Sequence, residues 1–130
     1  MHQRPTIFLA EDSPADCYLF QEALKAHHVE TELFIFHDGE DAMAFLTSAE
    51  ENGPQPQLFV IDLNLPKVDG FQLVNEIKMI DPTLRVILMS AYCISESDIM
   101  DNLNPGVRID KFITKPISLN NLIDIIQSIT

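Results

Sequence analysis

Four short apolar runs, each ending in a side chain capable of chemistry, constrain this chain more than any other feature. Ile7-Phe8-Leu9-Ala10 leads into Glu11-Asp12, and Leu58-Phe59-Val60-Ile61 into Asp62. Val86-Ile87-Leu88-Met89 meets Ser90, and Phe112-Ile113-Thr114 meets Lys115-Pro116. Runs of this length, separated by helix-length segments, read as buried parallel strands. Ligands of an open α/β sheet bind beyond the carboxyl ends of its strands. The pattern therefore gathers three acids, a hydroxyl and an amine at one edge, a set suited to a divalent cation and a phosphoryl group.

Five strand-helix pairs follow along the chain. Strands are expected at about Thr6–Ala10, Glu32–Phe36, Leu58–Asp62, Arg85–Ser90 and Lys111–Thr114. The first helix is expected from Ala15 to about His27, with Ser13 as cap, Pro14 in its first turn and Asp16 at the third helical position. The second starts at Gly39 and carries Ala42, Phe45, Leu46 and Ala49 on one face. The third, about Phe71–Ile80, is expected to bury Leu73, Val74, Ile77 and Ile80 before Asp81-Pro82 ends it. The fourth, about Glu96–Leu103, has a poor apolar stripe and stops at Asn104-Pro105-Gly106; the fifth runs from Leu119 with Ser118 as cap. The reading is one doubly wound α/β domain over residues 1–130.

Composition narrows the partners. A formal charge of −12 opposes direct nucleic-acid binding, which needs clustered Lys and Arg, although an acidic balance also serves plain solubility. No apolar run approaches the roughly 20 residues of a membrane span, and nothing resembles a signal peptide, so a cytoplasmic location is expected. Cys17 and Cys93 lack metal-binding or redox-motif spacing, and both are expected as reduced, buried or half-buried thiols.

At the strand ends, Asp12 and Asp62 can supply two carboxylates to a magnesium ion. Glu11 would act as an outer or water-mediated ligand, and a backbone carbonyl just after Asp62 as a further one. The plainer reading of Glu11 and Asp12 is that they open the first helix, where acids suit the dipole. Asp62 resists that explanation, because no helix needs capping until Asp69. A carboxylate can be a nucleophile toward phosphorus. Lys115 and Ser90 would then supply donors for the remaining phosphoryl oxygens, unless they are only a surface lysine and a strand-ending polar residue.

Taken together, these residues resemble the receiver domain of bacterial two-component response regulators. The resemblance runs from about Pro5 to Thr130. It rests on Glu11-Asp12, Asp62-Leu63-Asn64-Leu65-Pro66 with Asp69-Gly70, Ser90-Ala91, and Phe112 ahead of Lys115-Pro116. Asp12, Asp62, Ser90 and Lys115 are separated in turn by 50, 28 and 25 residues. The resemblance implies a flavodoxin-like (βα)5 fold with strand order 2-1-3-4-5. It makes Asp62 the phosphoacceptor, with Glu11, Asp12 and the Asn64 carbonyl holding Mg2+ beside it. Lys115 becomes the phosphate-pairing lysine, Ser90 the hydroxyl that moves toward the phosphoryl group, and Phe112 the aromatic switch, without the phenolic OH of the Tyr often found there. Asn64 and Tyr92 flank the path of the water that would remove the phosphoryl group; the plainer reading packs Tyr92 on the fourth helix.

The implied donor is a histidine kinase or histidine phosphotransfer protein. The Asp62-Leu63-Asn64-Leu65-Pro66 wording is similar to stand-alone receivers found beside photoreceptor-type histidine kinases. In the last helix Leu119, Leu122, Ile123 and Ile126 form a core stripe, and Ile125 with Ile129 widens it. That extension suggests a homodimer or partner contact through strand 5 and the last helix, unless the fourth helix leans over and buries both. Two rivals stand beside a phosphorylated signalling protein. A small aspartate-dependent phosphatase or phosphotransferase would need a second acid near its nucleophile, and the residue two after Asp62 is Asn64. A phosphorylation-independent pseudo-receiver would not need the residues that are present.

Overall fold

The computed structural model describes residues 4–48, 55–116 and 119–128. Strands and helices alternate: β1 (Thr6–Ala10), α1 (Pro14–Ala26), β2 (Glu32–Phe36), α2 (Gly39–Ser48), β3 (Leu58–Asp62), α3 (Gly70–Ile80), β4 (Arg85–Ser90), α4 (Glu96–Asn102), β5 (Lys111–Thr114) and α5 (Leu119–Ser128). The strands form one parallel sheet in the order β2-β1-β3-β4-β5, the flavodoxin-like topology expected from the sequence. All five strands occupy the expected residues.

The central strands are apolar throughout because both of their faces are covered. Phe8, Ala10, Phe59, Ile61, Val86 and Leu88 point to one face, where Ala42 of α2 and Leu73, Val74 and Ile77 of α3 pack. Ile7, Leu9, Leu58, Val60, Ile87 and Met89 point to the other, against Cys17, Phe20, Ala23 and Leu24 of α1 and Ile126 of α5. Phe8 anchors the first face: its ring meets those of Phe34, Phe36, Phe45 and Phe59 edge-on, with centroids 5.3–5.5 Å apart.

Caps fix where the helices begin. The Asp16 N–H donates to Ser13 Oγ (3.3 Å), with Pro14 as the first helical residue, so α1 starts one residue earlier than expected. Asp69 accepts from the N–H groups of Phe71 and Gln72, so α3 starts at Gly70. Ser95 caps α4 by accepting from Asp98 N–H (3.1 Å).

Two expectations are corrected. Ile80, expected in the core, is 52% exposed at the last residue of α3, while Leu73, Val74 and Ile77 are buried as expected. Cys93 is an exposed thiol on the loop after β4, whereas Cys17 is buried as expected. The proposed Ser118 cap, Ala49 and Ile129 lie outside the described residues, as do the side chains of Leu119, Leu122 and Ile125.

Candidate functional site

The carboxyl ends of β1, β3, β4 and β5 meet because the ladders bring them level. Ala10 pairs with Ile61, Asp62 with Met89, and Ser90 with Thr114. The chain leaving each strand stays tied to its neighbour: Leu63 N–H donates to Met89 O (2.8 Å) and Lys115 N–H to Ser90 O (2.7 Å). Glu11 N–H donates to Phe36 O at the end of β2 (2.9 Å).

Carboxylate oxygens of Glu11, Asp12 and Asp62 lie within 4.8 Å of one another. Glu11 and Asp62 are buried, and Asp12 is exposed. The Lys115 ammonium enters from the β5 side and donates to three acids: Glu11 Oε1 at 2.7 Å, Asp16 Oδ2 at 2.7 Å and Asp62 Oδ2 at 2.9 Å. The other Asp62 oxygen, Oδ1, accepts from the Asn64 N–H at 3.0 Å. Lys115 thus bridges Glu11, Asp16 and Asp62 and offsets part of the repulsion among the acids at this edge.

The groups are electrostatically unequal. Burial first, and then contact with Asp62, pushes the Glu11 carboxyl up to about 9, so it is protonated at neutral pH. Burial acts to raise Asp62 as well, but Glu11, the Asn64 N–H and Lys115 outweigh it and hold the carboxyl below its ordinary range. Asp16 is lowered chiefly by its hydrogen bond from Lys115. Burial works against the charge on Lys115, yet Asp16, Glu11 and Asp62 raise it overall. Asp62 is thus an ionised carboxylate in a largely water-excluded place, as a nucleophile requires.

The donor set fits a hard divalent cation. It offers oxygen ligands only, in a cluster small enough to share one ion. Glu11 Oε2 is buried and has no hydrogen-bond partner among the described residues, as an oxygen awaiting a ligand would be.

Ser90 is buried at the end of β4, where its Oγ accepts from the Tyr92 N–H (3.1 Å); it makes no hydrogen bond with Asp62 among the described residues. Tyr92 is 71% exposed. Phe112 is half-buried against the core of the first sheet face. It also lines a groove of about 560 Å³ with Ile99, Leu103, Val107 and Ile109. Two residues near the site had no role in the sequence reading. Asp16 was placed only as a first-turn helix acid, and its pairing with a lysine 99 residues away leaves no periodic trace. His37 reaches Glu11 O through Nδ1 (3.3 Å) from the end of β2.

The sequence signature of the response regulator receiver domain matches residues 7–127. The chain belongs to that family. It is a phosphorylation-dependent response regulator receiver, and receivers of this family work with histidine kinases or phosphotransfer proteins. Response regulator Rcp1 of Synechocystis is 39% identical over 129 residues, covering 95% of this chain and 84% of the relative. The phosphorylated cyanobacterial phytochrome response regulator RcpA superposes on this receiver with a TM-score of 0.73 at 39% identity, over 98% of this chain and 91% of that one. The Mn2+-bound form of Rcp1 gives a TM-score of 0.72 at 36% identity, over 96% and 91%. Other relatives are longer: the receiver spans 50% of the transcriptional regulatory protein RprY of Bacteroides fragilis.

Proposed function

We propose that this receiver takes a phosphoryl group onto Asp62 from a histidine kinase or histidine phosphotransfer protein, with Mg2+ held by Glu11, Asp12, Asp62 and the Asn64 carbonyl. The observation that carries the reading is the convergence of Lys115 and the Asn64 N–H on the two oxygens of one buried, ionised carboxylate beside an acidic cluster. The Mn2+-bound structure of Rcp1 supports a divalent ion in a related protein. Magnesium bound there supplies positive charge to the phosphoryl oxygens.

An Asp62 carboxylate oxygen attacks phosphorus. The new O–P bond forms as the bond to the donor breaks, and the leaving group keeps the electron pair. Asn64 N–H holds Oδ1 and so fixes the plane of the carboxylate. Lys115, already 2.9 Å from Oδ2, exchanges that contact for a phosphoryl oxygen. The Ser90 Oγ accepts from Tyr92 N–H, which leaves its own proton free to donate to another phosphoryl oxygen. Movement of Ser90 toward the phosphoryl group vacates space on β4, and Phe112 on the paired strand turns toward it.

In this reading residues 1–130 act as a single receiver domain in the cytoplasm. Among the described residues no helix is long and apolar enough to cross a membrane. The output is a protein contact rather than nucleic-acid binding, and catalysis is limited to the receiver's own phosphorylation and dephosphorylation. A homodimer through β5 and α5 is one form that contact takes. Incubation with acetyl phosphate and Mg2+ should add the mass of one phosphoryl group, and a chelator should prevent it. A chain whose mass does not change would refute the reading.

A further inference from the structure

Lys115 has more acids around it than the phosphoryl chemistry requires. An ammonium has three N–H donors, and Glu11, Asp16 and Asp62 occupy all of them at 2.7, 2.7 and 2.9 Å. Two of those acceptors, Glu11 and Asp62, belong to the acidic cluster that fits a cation. Asp16 does not. It sits in the first turn of α1, with its own N–H on Ser13 Oγ and Pro14 two residues ahead of it.

When Glu11 turns to a cation the lysine loses one acceptor, and its contact with Asp62 passes to a phosphoryl oxygen as the group arrives, so two of its three contacts change during the reaction. A lysine side chain is a compact charge on a flexible four-carbon stem, and holding it still costs rotamer entropy. Freed from all its partners, the ammonium would move toward solvent. Asp16 is the acceptor whose place does not depend on the reaction.

We propose that Asp16 is a positioning residue: it keeps one Lys115 N–H engaged throughout phosphoryl transfer, so that the remaining donors stay aimed at Asp62. The inference rests on Asp62 being the phosphoacceptor. Asp16 meets Lys115 and Glu11 rather than Asp62, and it acts on Asp62 through Lys115. Its carboxylate is part-exposed, with 28% of the side chain accessible against 14% for Lys115, so the coupling is moderate.

The test is a set of phosphorylation time courses with acetyl phosphate at saturating Mg2+, followed by intact mass. The proteins are the wild type, Asp16→Asn, Asp16→Glu, Lys115→Ala and the Asp16→Asn/Lys115→Ala double variant. Asp16→Asn keeps the shape and removes the charge, and is expected to slow modification about fivefold, the size of a typical coupling between contacting residues. Asp16→Glu should recover most of the wild-type rate, and Asp16→Asn should add no slowing once Lys115 is gone. A merely structural role would slow the Lys115→Ala background by the same factor and would not be rescued by Glu. Either result, or Asp16→Asn reacting at the wild-type rate, overturns the proposal. A wild type that gains no phosphoryl group refutes the phosphoacceptor reading instead, and the two failures are told apart by that one control.

Discussion

Lys115 Nζ lies 2.9 Å from Asp62 Oδ2, a contact between residues 53 apart in sequence that closes the edge of the sheet. The same ammonium holds Glu11 and Asp16, so one cation organises most of the charge at the strand ends. In the proposed reading Lys115 is a donor to the phosphoryl group and competes with a cation for the Glu11 and Asp62 oxygens.

Replacing Lys115 by Ala should therefore act in opposite directions on stability and on metal response. Without metal, the loss leaves the ionised Asp62 carboxylate buried without its ammonium, beside a Glu11 that is already protonated at neutral pH. About 2 kcal/mol of destabilisation is expected, below the usual cost of orphaning a fully buried partner. Mg2+ should then raise the melting temperature of Lys115→Ala by more than it raises the wild type, because the lysine no longer competes for the same oxygens. Melting curves with and without Mg2+ check both halves.

The Glu11 carboxyl gives a pH signature. Its value in the fold, about 9, stands above the ordinary 4.5, so the folded protein binds a proton there that the unfolded chain has released. That contribution is complete below about 4.5 and is lost as pH rises through about 9. In the absence of metal, urea midpoints should fall over this window in the wild type and less so in Glu11→Gln. Asp62 and Asp16 are shifted the other way, and their contributions disappear only as pH falls below the ordinary carboxylate range. Metal binding should also release a proton from Glu11 near neutral pH, seen by calorimetry in buffers of different ionisation enthalpy and absent in Glu11→Gln.

Gly70 supports the site from below. A Cβ added there would lie 2.7 Å from Leu63 Cα and 3.2 Å from Asp62 O, so the backbone next to Asp62 would have to shift. Gly70→Ala should cost about 1–3 kcal/mol, in the range of overpacked cores, and should slow phosphorylation of Asp62. An alanine variant with unchanged urea midpoint and unchanged rate would remove this support.

Tyr92 is exposed beside Ser90, joined to it through the backbone N–H. In the proposed reading, a large ring there would limit the approach of water to a phosphoryl group on Asp62. Tyr92→Ala should shorten the lifetime of the phosphoprotein, measured by loss of the added mass after the donor is removed. An unchanged lifetime would take Tyr92 out of the water path.

Strand positions and the acidic cluster were legible in the sequence for one physical reason. A strand buried on both faces needs an unbroken apolar run, and the first charged residue marks where the sheet ends. Glu11, Asp62, Ser90 and Lys115 all fall at such ends, and local hydrophobicity suffices to place them. Side-chain pairing carries no such mark. The Asp16–Lys115 ion pair joins α1 to the end of β5, and from sequence Asp16 differs in nothing from any acid favouring a helix start. The groove beside Phe112 was missed for another reason. Much of its wall is the irregular stretch from Leu103 to Asp110, which has no period to read.

Locating the phosphoryl group tests the account most directly. After incubation with acetyl phosphate and Mg2+, peptide mapping by mass spectrometry should find the modification on Asp62 alone. It should be absent in Asp62→Asn and in wild type treated with chelator. Modification of any other residue in the wild type, or its persistence in Asp62→Asn, would contradict the assignment of this strand end as the phosphoacceptor.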